Sequence, residues 1–323
     1  MKTSIEAAWE TAARKAASTP PQEGEYIIFR IDEHSERNIY GGVDDSGNPL
    51  LAIETRITPP NVNLRSASLS YLRRERKGTA AWLMVLFLKR KELATVFAKL
   101  CQDLIEEAQG AQTEEALVDL TMRRILLWQK LFENKQGGLL ADFQVKGLLA
   151  ELLFMESRLD AGACQPLELA KAWTGPCGGD QDFVFADEAV EVKAVGMHVD
   201  DVGISSLQQL DSRVALRLSV WTLRPAAPTE SGAVGLNQIA IRLEQKLAKD
   251  PEALAGYREA LLEAGYVANE NYDELMFQVM DVEDFVVDAD FPRLTACSVP
   301  SGILSATYRI SLNAIRMGAG ERK

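Results

Sequence analysis

Two carboxylates and a lysine lie close together in a stretch of the chain that otherwise reads as β-strand. Asp182 precedes a short apolar run, and Glu191 and Lys193 alternate with valine in the next apolar run. Burying a charged side chain is costly unless the charge is paired or coordinates a metal ion. The residue types therefore favour a site in which these charges serve a purpose beyond folding.

The apolar runs on either side of Asp187 and Glu188 predict a β-hairpin, because they are β-branched and aromatic and the two acids suit a tight turn. Closing the hairpin at this turn sets Asp182 opposite Lys193, with Glu191 diagonal to Asp182 on the same face. A slip of one residue in the register would send the charged side chains to different faces.

Two carboxylates beside a main-chain carbonyl, here that of Val192, form a hard oxygen site suited to Mg²⁺ or Mn²⁺. Such a site leaves positions for water and for phosphate oxygens, and Lys193 would orient the water or stabilise developing negative charge. This is the chemistry of phosphodiester hydrolysis. The spacing alone fits equally well a surface hairpin with a solvated Asp/Lys pair, because short patterns of this kind recur by chance.

A long, largely apolar helix is predicted upstream over residues 139–155, which are rich in helix-forming residues. Glu151 has no salt-bridge partner three or four residues away in this helix. Its carboxylate therefore either serves a site or reaches solvent at the helix edge. Gly147 lowers the stability of a helix, and we expect it where another backbone approaches closely.

Together these segments resemble the PD-(D/E)XK nuclease superfamily, in which a helix glutamate, an aspartate and Glu-x-Lys follow one another in this order. A narrower group is also similar, the PD-(D/E)XK motif proteins found beside bacterial restriction-modification and phage-defence genes. The residues that carry this narrower similarity are 147–152, 173–176, 181–183, 190–193 and 204–210.

The resemblance implies an α/β protein with a restriction-endonuclease-like core, in which a central mixed sheet is flanked by helices. It implies that Asp182 and Glu191 are metal ligands and that Lys193 is the catalytic lysine. Glu151 would be the helix acid that adds a ligand or a water contact, and Gln209 would match a glutamine often present after the lysine strand. One departure is Gln181, which stands where the superfamily often has proline.

The expected function is that of a Mg²⁺- or Mn²⁺-dependent endonuclease, a phosphodiester hydrolase that cuts DNA in bacterial restriction or phage defence. The alternative is a non-catalytic subunit that binds nucleic acid or assembles a restriction complex. A third interpretation is an RNA-directed nuclease, since DNA and RNA are distinguished by contacts to the 2′-OH. The expected partners are DNA, other restriction or defence subunits and a second copy of the chain, because cutting both strands commonly uses two active sites.

Length and composition fit an ordinary globular protein, with 47% hydrophobic and 25% charged residues among 323. No segment approaches the apolar length needed to span a bilayer, and the N-terminus does not read as a signal peptide. Four scattered cysteines predict free thiols in the cytoplasm. Two histidines are too few for a multi-histidine metal site.

The formal net charge of −12 is unusual for a protein that binds nucleic acid, because affinity for DNA comes largely from lysine and arginine. Candidate DNA contacts are the basic stretches at 73–77, 89–91 and 123–124, although such stretches are more often solvated faces. The acidity favours a protein that needs a partner to load it on DNA, or one with a narrow choice of substrate.

The pattern along the chain predicts a β-rich N-terminal domain over residues 1–110, a core over 111–235 and a C-terminal α+β extension over 236–323. The predicted helices lie at 1–18, 93–107, 114–132, 236–248 and 251–264. The predicted strands lie at 25–31, 37–40, 50–55, 67–72, 214–222, 277–280 and 285–287. The run 81–88 fits a strand or the start of a helix equally well.

Overall fold

The computed structural model describes residues 4–32, 35–64, 66–76, 78–133 and 139–320. These fall into two compact units, residues 1–139 and residues 140–323, which we call the N-terminal and the C-terminal unit. The boundary at 139 lies 29 residues beyond the end of the domain predicted over 1–110, so that the helix at Glu114–Glu133 also belongs with the β-rich part.

The N-terminal unit combines an antiparallel sheet with helices. In chain order it contains α1 (Ser4–Ser18), β1 (Tyr26–Arg30), β2 (Ile39–Asp44), β3 (Pro49–Thr55), β4 (Leu69–Arg76), β5 (Ala81–Leu88), α2 (Ala94–Gly110) and α3 (Glu114–Glu133). The strand order is β1-β2-β3-β5-β4. The run 81–88 is therefore a strand, because its apolar residues pack inside the sheet between β3 and β4.

The core of the N-terminal unit is held between α1, α2 and the sheet. The rings of Trp9 and Phe97 stack with their centroids 5.4 Å apart. The indole N–H of Trp9 donates to the main-chain oxygen of Leu50 at 2.9 Å, so that this buried polar group is satisfied.

The C-terminal unit alternates helices and strands. In chain order it contains α4 (Asp142–Asp160), α5 (Pro166–Ala172), β6 (Phe183–Val184), β7 (Glu188–Val195), β8 (Asp201–Ile204), β9 (Ala215–Ala226), β10 (Ala233–Gly235), α6 (Leu236–Leu247), α7 (Pro251–Glu263), β11 (Met276–Val286), β12 (Tyr308–Ser311) and α8 (Leu312–Gly320). Gly162, at φ +62°, follows α4 and ends it in the left-handed conformation that glycine adopts readily.

A mixed sheet forms the centre of the C-terminal unit, in the order β10-β11-β9-β7-β6. Strands β7 and β9 run parallel, and the other neighbours are antiparallel. Strand β11 lies beyond residue 235, where the core was predicted to end, yet it pairs with β9 along most of its length. The predicted strands 277–280 and 285–287 are one continuous strand, which absorbs a register shift between Val279 and Asp281.

One face of the central sheet packs against the short β8/β12 ribbon and α8. Leu218 and Val220 of β9 lie in one apolar cluster with Ile204, Ile310 and Leu312. Along β7, Ala189 and Val195 belong to the same cluster, and side chains alternate along a strand. Glu191 and Lys193 therefore point to this face of the sheet.

Within the part of the chain that the structure describes, no helix combines the length and the apolar character needed to cross a membrane. The cysteines are thiols rather than disulfides, as the scattered spacing predicts, at Cys101, Cys164, Cys177 and Cys297.

Candidate active site

The predicted hairpin is present, but its register differs from the prediction. Phe183 pairs with Val190, and the N–H of Phe185 donates to the carbonyl of Glu188 at 2.8 Å. Extending the ladder by one residue places Asp182 opposite Glu191, so the prediction that Asp182 faces Lys193 is wrong. The two-residue turn lies one residue earlier than predicted, at 186–187 instead of 187–188, because Glu188 belongs to strand β7.

The error in register leaves the charged side chains on the same face, because the partner of Asp182 moves by two residues and side chains alternate with a period of two. The pairs 185/188 and 183/190 exchange main-chain hydrogen bonds in an antiparallel ladder, which makes 182/191 a pair without them. Opposite side chains are closest at such pairs. Asp182 and Glu191 are thus closer neighbours than the predicted register would have made them.

Glu188 anchors the start of β7 through two ion pairs. Its carboxylate accepts hydrogen bonds from Arg158 at 2.6 Å and from Arg217 at 2.9 Å. The guanidinium of Arg158 also lies over the ring of Phe185, 5.0 Å from its centroid. This network joins α4, β9 and the hairpin, and so fixes the strand that carries Glu191 and Lys193.

Asp182 is held by main-chain groups on both of its sides. Its carboxylate accepts a hydrogen bond from the N–H of Val192 at 2.8 Å. Its own carbonyl accepts from the N–H groups of Thr174 at 2.9 Å and Gly175 at 3.0 Å. A Cβ at Gly175 would lie 2.8 Å from Oδ1 of Asp182, closer than non-bonded atoms approach. Glycine at 175 therefore makes room for the carboxylate.

The ε-ammonium of Lys193 forms an ion pair with Glu191 at 2.6 Å. Glu191 is 1% exposed, whereas the side chain of Lys193 is 19% exposed. Within the described residues neither carboxylate oxygen of Glu191 makes a hydrogen bond of regular geometry, although the ammonium of Lys193 and the main-chain N–H of Asp182 are close enough to oppose the rise in its pKa. A buried carboxylate in this state has unused acceptor capacity, which is costly unless a further ligand fills it.

Glu151 approaches the group from α4. Its carboxylate accepts a hydrogen bond from the indole N–H of Trp173 at 2.8 Å. Trp173 itself is buried, and its ring stacks near those of Phe183 and Tyr257. The carboxylate of Glu151 is therefore directed toward Trp173 and the other acids, while the residue as a whole keeps a partly exposed surface. Gly147, one turn earlier, has no atom within 4 Å of an added Cβ, so the expected close approach of another backbone is wrong.

The acids share an environment that disfavours their charged forms. Burial raises the pKa of Glu191 to about 8, the charge of Asp182 adds to this shift, and Lys193 opposes it. Burial also raises the pKa of Glu151 well above its ordinary value, again with a contribution from Asp182. Burial raises the pKa of Asp182, against the hydrogen bond from Val192. A bound cation would relieve the repulsion between these buried carboxylates and favour their ionised forms.

Gln181 and Gln209 connect this group to the turn after β8. The amide of Gln181 is buried and donates to the carbonyl of Gln208 at 2.7 Å and to that of Asp211 at 3.2 Å. The side-chain oxygen of Gln209 accepts from the main-chain N–H of Ser205 at 2.8 Å and from Lys193 at 3.4 Å. Gln181 thus holds in place the segment that carries Gln209, whose side chain contacts Lys193.

The donor set fits a divalent cation in its chemistry. Among the described residues, no group of three or more His, Cys, Asp and Glu side chains is arranged to hold a metal ion. The fitting set is instead the carboxylates of Asp182 and Glu191 with the carbonyl of Val192. The N–H and C=O of one strand residue point to the same edge, so this carbonyl faces the edge where Asp182 lies. Hard oxygen donors of this kind suit Mg²⁺ or Mn²⁺.

The basic stretches proposed as DNA contacts are largely engaged within the N-terminal unit. Arg74 lies over the ring of Tyr26, and Arg76 pairs with Glu54. The partners of two others are also internal, namely Glu92 for Arg90 and Asp103 with Glu107 for Arg124. Lys77 lies outside the described residues. Side chains already paired in this way have less capacity to neutralise phosphates.

Sequence patterns assign no role to two of the residues that shape this group. Trp173 reads as a packing residue, and its hydrogen bond to Glu151 depends on a contact between α4 and the loop after α5. Gln181 reads only as a departure from proline. The one available signal was position, since both residues lie in the segments that resemble the nuclease motif.

Comparison with known proteins gives a family match over nearly the whole chain. The family is described as "Putative PD-(D/E)XK family member, (DUF4420)", and its model matches residues 5–313. A search of curated proteins found no match, and a search of solved structures found none either. The matched range covers most of each compact unit and includes every residue of the group described above.

Proposed function

This chain belongs to the PD-(D/E)XK family DUF4420, and from that membership we propose that it is a metal-dependent nuclease that hydrolyses phosphodiester bonds in DNA. The observation that carries the proposal is the contact of Lys193 with Glu191, which lies opposite Asp182 in the central sheet. A carboxylate pair with an adjacent lysine in the order of the family motif is the arrangement that such chemistry requires.

In this proposal Asp182 and Glu191 hold Mg²⁺ or Mn²⁺ with the carbonyl of Val192, and Glu151 adds a ligand or a water contact. When bound, the cation supplies Lewis-acid stabilisation of charge on phosphate oxygens and lowers the pKa of water. The raised pKa values of the acids are consistent with this role, because a dication would favour their ionised forms.

Lys193 is the catalytic lysine in this proposal, because its ammonium is the partly exposed member of the group. It can donate hydrogen bonds to an attacking water or to a phosphate oxygen on which negative charge develops. Gln209 limits the movement of that ammonium through the contact at 3.4 Å. Trp173 restrains the carboxylate of Glu151 in the same way. The site is thus pre-ordered by neutral donors and acceptors.

The biological setting belongs to the same proposal. Resemblance to proteins found beside restriction and phage-defence genes supports a role in bacterial restriction or phage defence, in the cytoplasm where such DNA is met. DNA is the proposed substrate, and other defence subunits or a second copy of the chain are the proposed partners. The internal pairing of the basic stretches favours loading by a partner.

A second candidate is a non-catalytic subunit that binds nucleic acid or assembles a complex. The observation that favours it is the lack, among the described residues, of a third ligand side chain placed to hold a metal ion. The net charge of −12 favours it too, because a freely acting nuclease gains from a basic surface.

A cleavage assay separates the two candidates. Supercoiled, linear and single-stranded DNA and an RNA of matching sequence would be incubated with the protein and Mg²⁺ or Mn²⁺, beside Asp182→Ala and Lys193→Ala. The nuclease proposal expects metal-dependent cleavage of DNA that falls at least about 100-fold in either variant, the loss typical of removing a transition-state contact. Equal activity of the parent and both variants would reject the assigned site. Nucleic-acid binding without cleavage would favour the subunit.

A further inference from the structure

The ε-ammonium of Lys146 lies at the end of the strand that carries Glu191 and Lys193. Lys146 is on the second turn of α4, and its Nζ is 3.7 Å from the point that a Cβ would occupy at Gly196. Gly196 directly follows β7 and is three residues beyond Lys193, which corresponds to about 10 Å along an extended strand. Lys146 therefore places a cationic group at the C-terminal end of β7, beyond Lys193.

Lys146 differs from the neighbouring cations in its lack of a counter-charge. Lys193 pairs with Glu191, and Arg158 pairs with Glu188. No carboxylate in the described ranges pairs with Lys146, whose side chain is half-buried. Burial alone accounts for the lowered pKa of this ammonium. A partly buried charge without a partner is unfavourable. The ε-ammonium of Lys146 can therefore gain from contact with an anionic ligand.

The balance of charge at the site indicates that this ligand would be an anion. If Asp182, Glu191 and Glu151 are ionised, one dication together with Lys193 neutralises them. Lys146 then leaves one positive charge in excess at the end of β7. Between the low-dielectric walls of a partly buried site, such an excess attracts an anion more strongly than the same charge in open solvent.

We propose that Lys146 binds a backbone phosphate a few nucleotides away from the phosphate to be cut, on the same DNA strand. The inference rests on the proposed function, and it makes Lys146 a residue that positions substrate rather than one that breaks the bond. One strand of duplex DNA carries a phosphate for each 3.4 Å of helix axis, so the Cα separation of about 10 Å between residues 193 and 196 is comparable with the span of a few nucleotides. The contact would fix the register of the strand relative to Lys193.

The salt dependence of DNA binding tests this contact without cleavage. A fluorescently labelled duplex and its single strand would be titrated with the full-length protein in Ca²⁺, with gels run to check that the DNA stays intact. Kd would be measured across about 50 to 200 mM KCl for the parent, Lys146→Gln and Lys146→Arg. Lys249→Gln is the matched control, because Lys249 is an exposed lysine of the same unit with the same charge. Thermal unfolding would confirm that each variant is folded.

Loss of one phosphate contact lowers the slope of log Kd against log salt by about 0.9. We expect this decrease in Lys146→Gln, a slope within error of the parent in Lys146→Arg, and no change in Lys249→Gln. An unchanged slope in Lys146→Gln, or an equal decrease in Lys249→Gln, would overturn the inference and leave the proposed nuclease standing. A parent that binds neither DNA form at about 50 mM KCl would overturn this contact, whereas the DNA substrate is tested separately by the cleavage assay.

Discussion

The ammonium of Lys193 lies 2.6 Å from a carboxylate oxygen of Glu191, two residues earlier on the same strand. Residues two apart on a strand share a face, so the Glu-x-Lys spacing produces this contact directly. The pair is asymmetric, because Glu191 is almost fully buried and Lys193 is partly exposed. The carboxylate is therefore available to a buried ligand, and the ammonium is available to whatever approaches from solvent.

Replacing Glu191 with glutamine should stabilise the metal-free protein as the pH rises. Below about pH 4.5 the carboxyl is protonated in both the folded and the unfolded chain. Above that pH the unfolded chain ionises, whereas the folded chain keeps its proton until about pH 8. The free energy of unfolding of the parent therefore falls across this window, by about 1.4 kcal/mol per pH unit for one such group.

Thermal unfolding in EDTA at several pH values checks this prediction. Glu191→Gln should gain stability relative to the parent between about pH 5 and pH 8, because the variant loses no proton there. Glu283→Gln is a control of opposite sign, since the hydrogen bond from Arg316 lowers the pKa of Glu283. That control should lose stability relative to the parent above the unfolded pKa. A parallel pH dependence in the parent and Glu191→Gln would contradict the prediction.

Replacing Gln181 with alanine should destabilise the C-terminal unit and weaken catalysis through Lys193. The change leaves the carbonyls of Gln208 and Asp211 without their donor, which costs about 1–3 kcal/mol. It also releases the segment whose Gln209 contacts Lys193. Chemical denaturation measures the first effect, and the cleavage rate measures the second.

A double-mutant cycle with Gln209→Ala shows whether Gln181 acts through Gln209. If it does, the two losses in cleavage rate will not add, and the double variant will resemble Gln209→Ala. Binding of Mg²⁺ by the single variants should stay close to that of the parent, because Asp182 and Glu191 are unchanged. Fully additive losses would mean that Gln181 serves stability alone.

Replacing Gly175 with alanine should disturb Asp182. The new Cβ would lie 2.8 Å from Oδ1 and 3.1 Å from Cα of Asp182, so one of them must move. We expect a loss of about 1–3 kcal/mol in stability, as in other overpacked positions, and weaker metal binding. Calorimetric titration with Mn²⁺ measures the affinity.

Gly147→Ala is the matched control for this change, because an added Cβ there meets no atom within 4 Å. Alanine inside an α-helix should raise stability by about 0.5–1 kcal/mol and leave metal binding unchanged. If Gly175→Ala bound metal as well as Gly147→Ala does, the space beside Asp182 would have no role in metal binding.

Local patterns predicted much of this site. Alternation along β7 set Glu191 and Lys193 on one face, and the apolar stretch around Glu151 predicted the helix that carries it. The hairpin register was wrong because Glu188, a residue that suits turns, is drawn into the strand by Arg158 and Arg217. Those arginines belong to α4 and β9, so the sequence of the hairpin alone does not predict their contacts with Glu188.

Long-range contacts account for the other differences. Phe277 and Phe285 lie in one strand because β9 offers a partner along the whole length of β11, which overrides the polar residues between them. Trp173 and Gln181 gained their roles from donors and acceptors far away in sequence, on Glu151 and Gln208. A single sequence specifies which side chains can donate or accept, and tertiary packing decides which partners they meet.

The most direct test of the metal centre is a crystal structure of the protein with Mn²⁺, examined by anomalous scattering. We expect a strong peak within coordination distance of the carboxylates of Asp182 and Glu191 and of the carbonyl of Val192, and no such peak in Glu191→Gln. A map without a peak at these atoms, or with its peak elsewhere and equal in both proteins, would contradict this expectation.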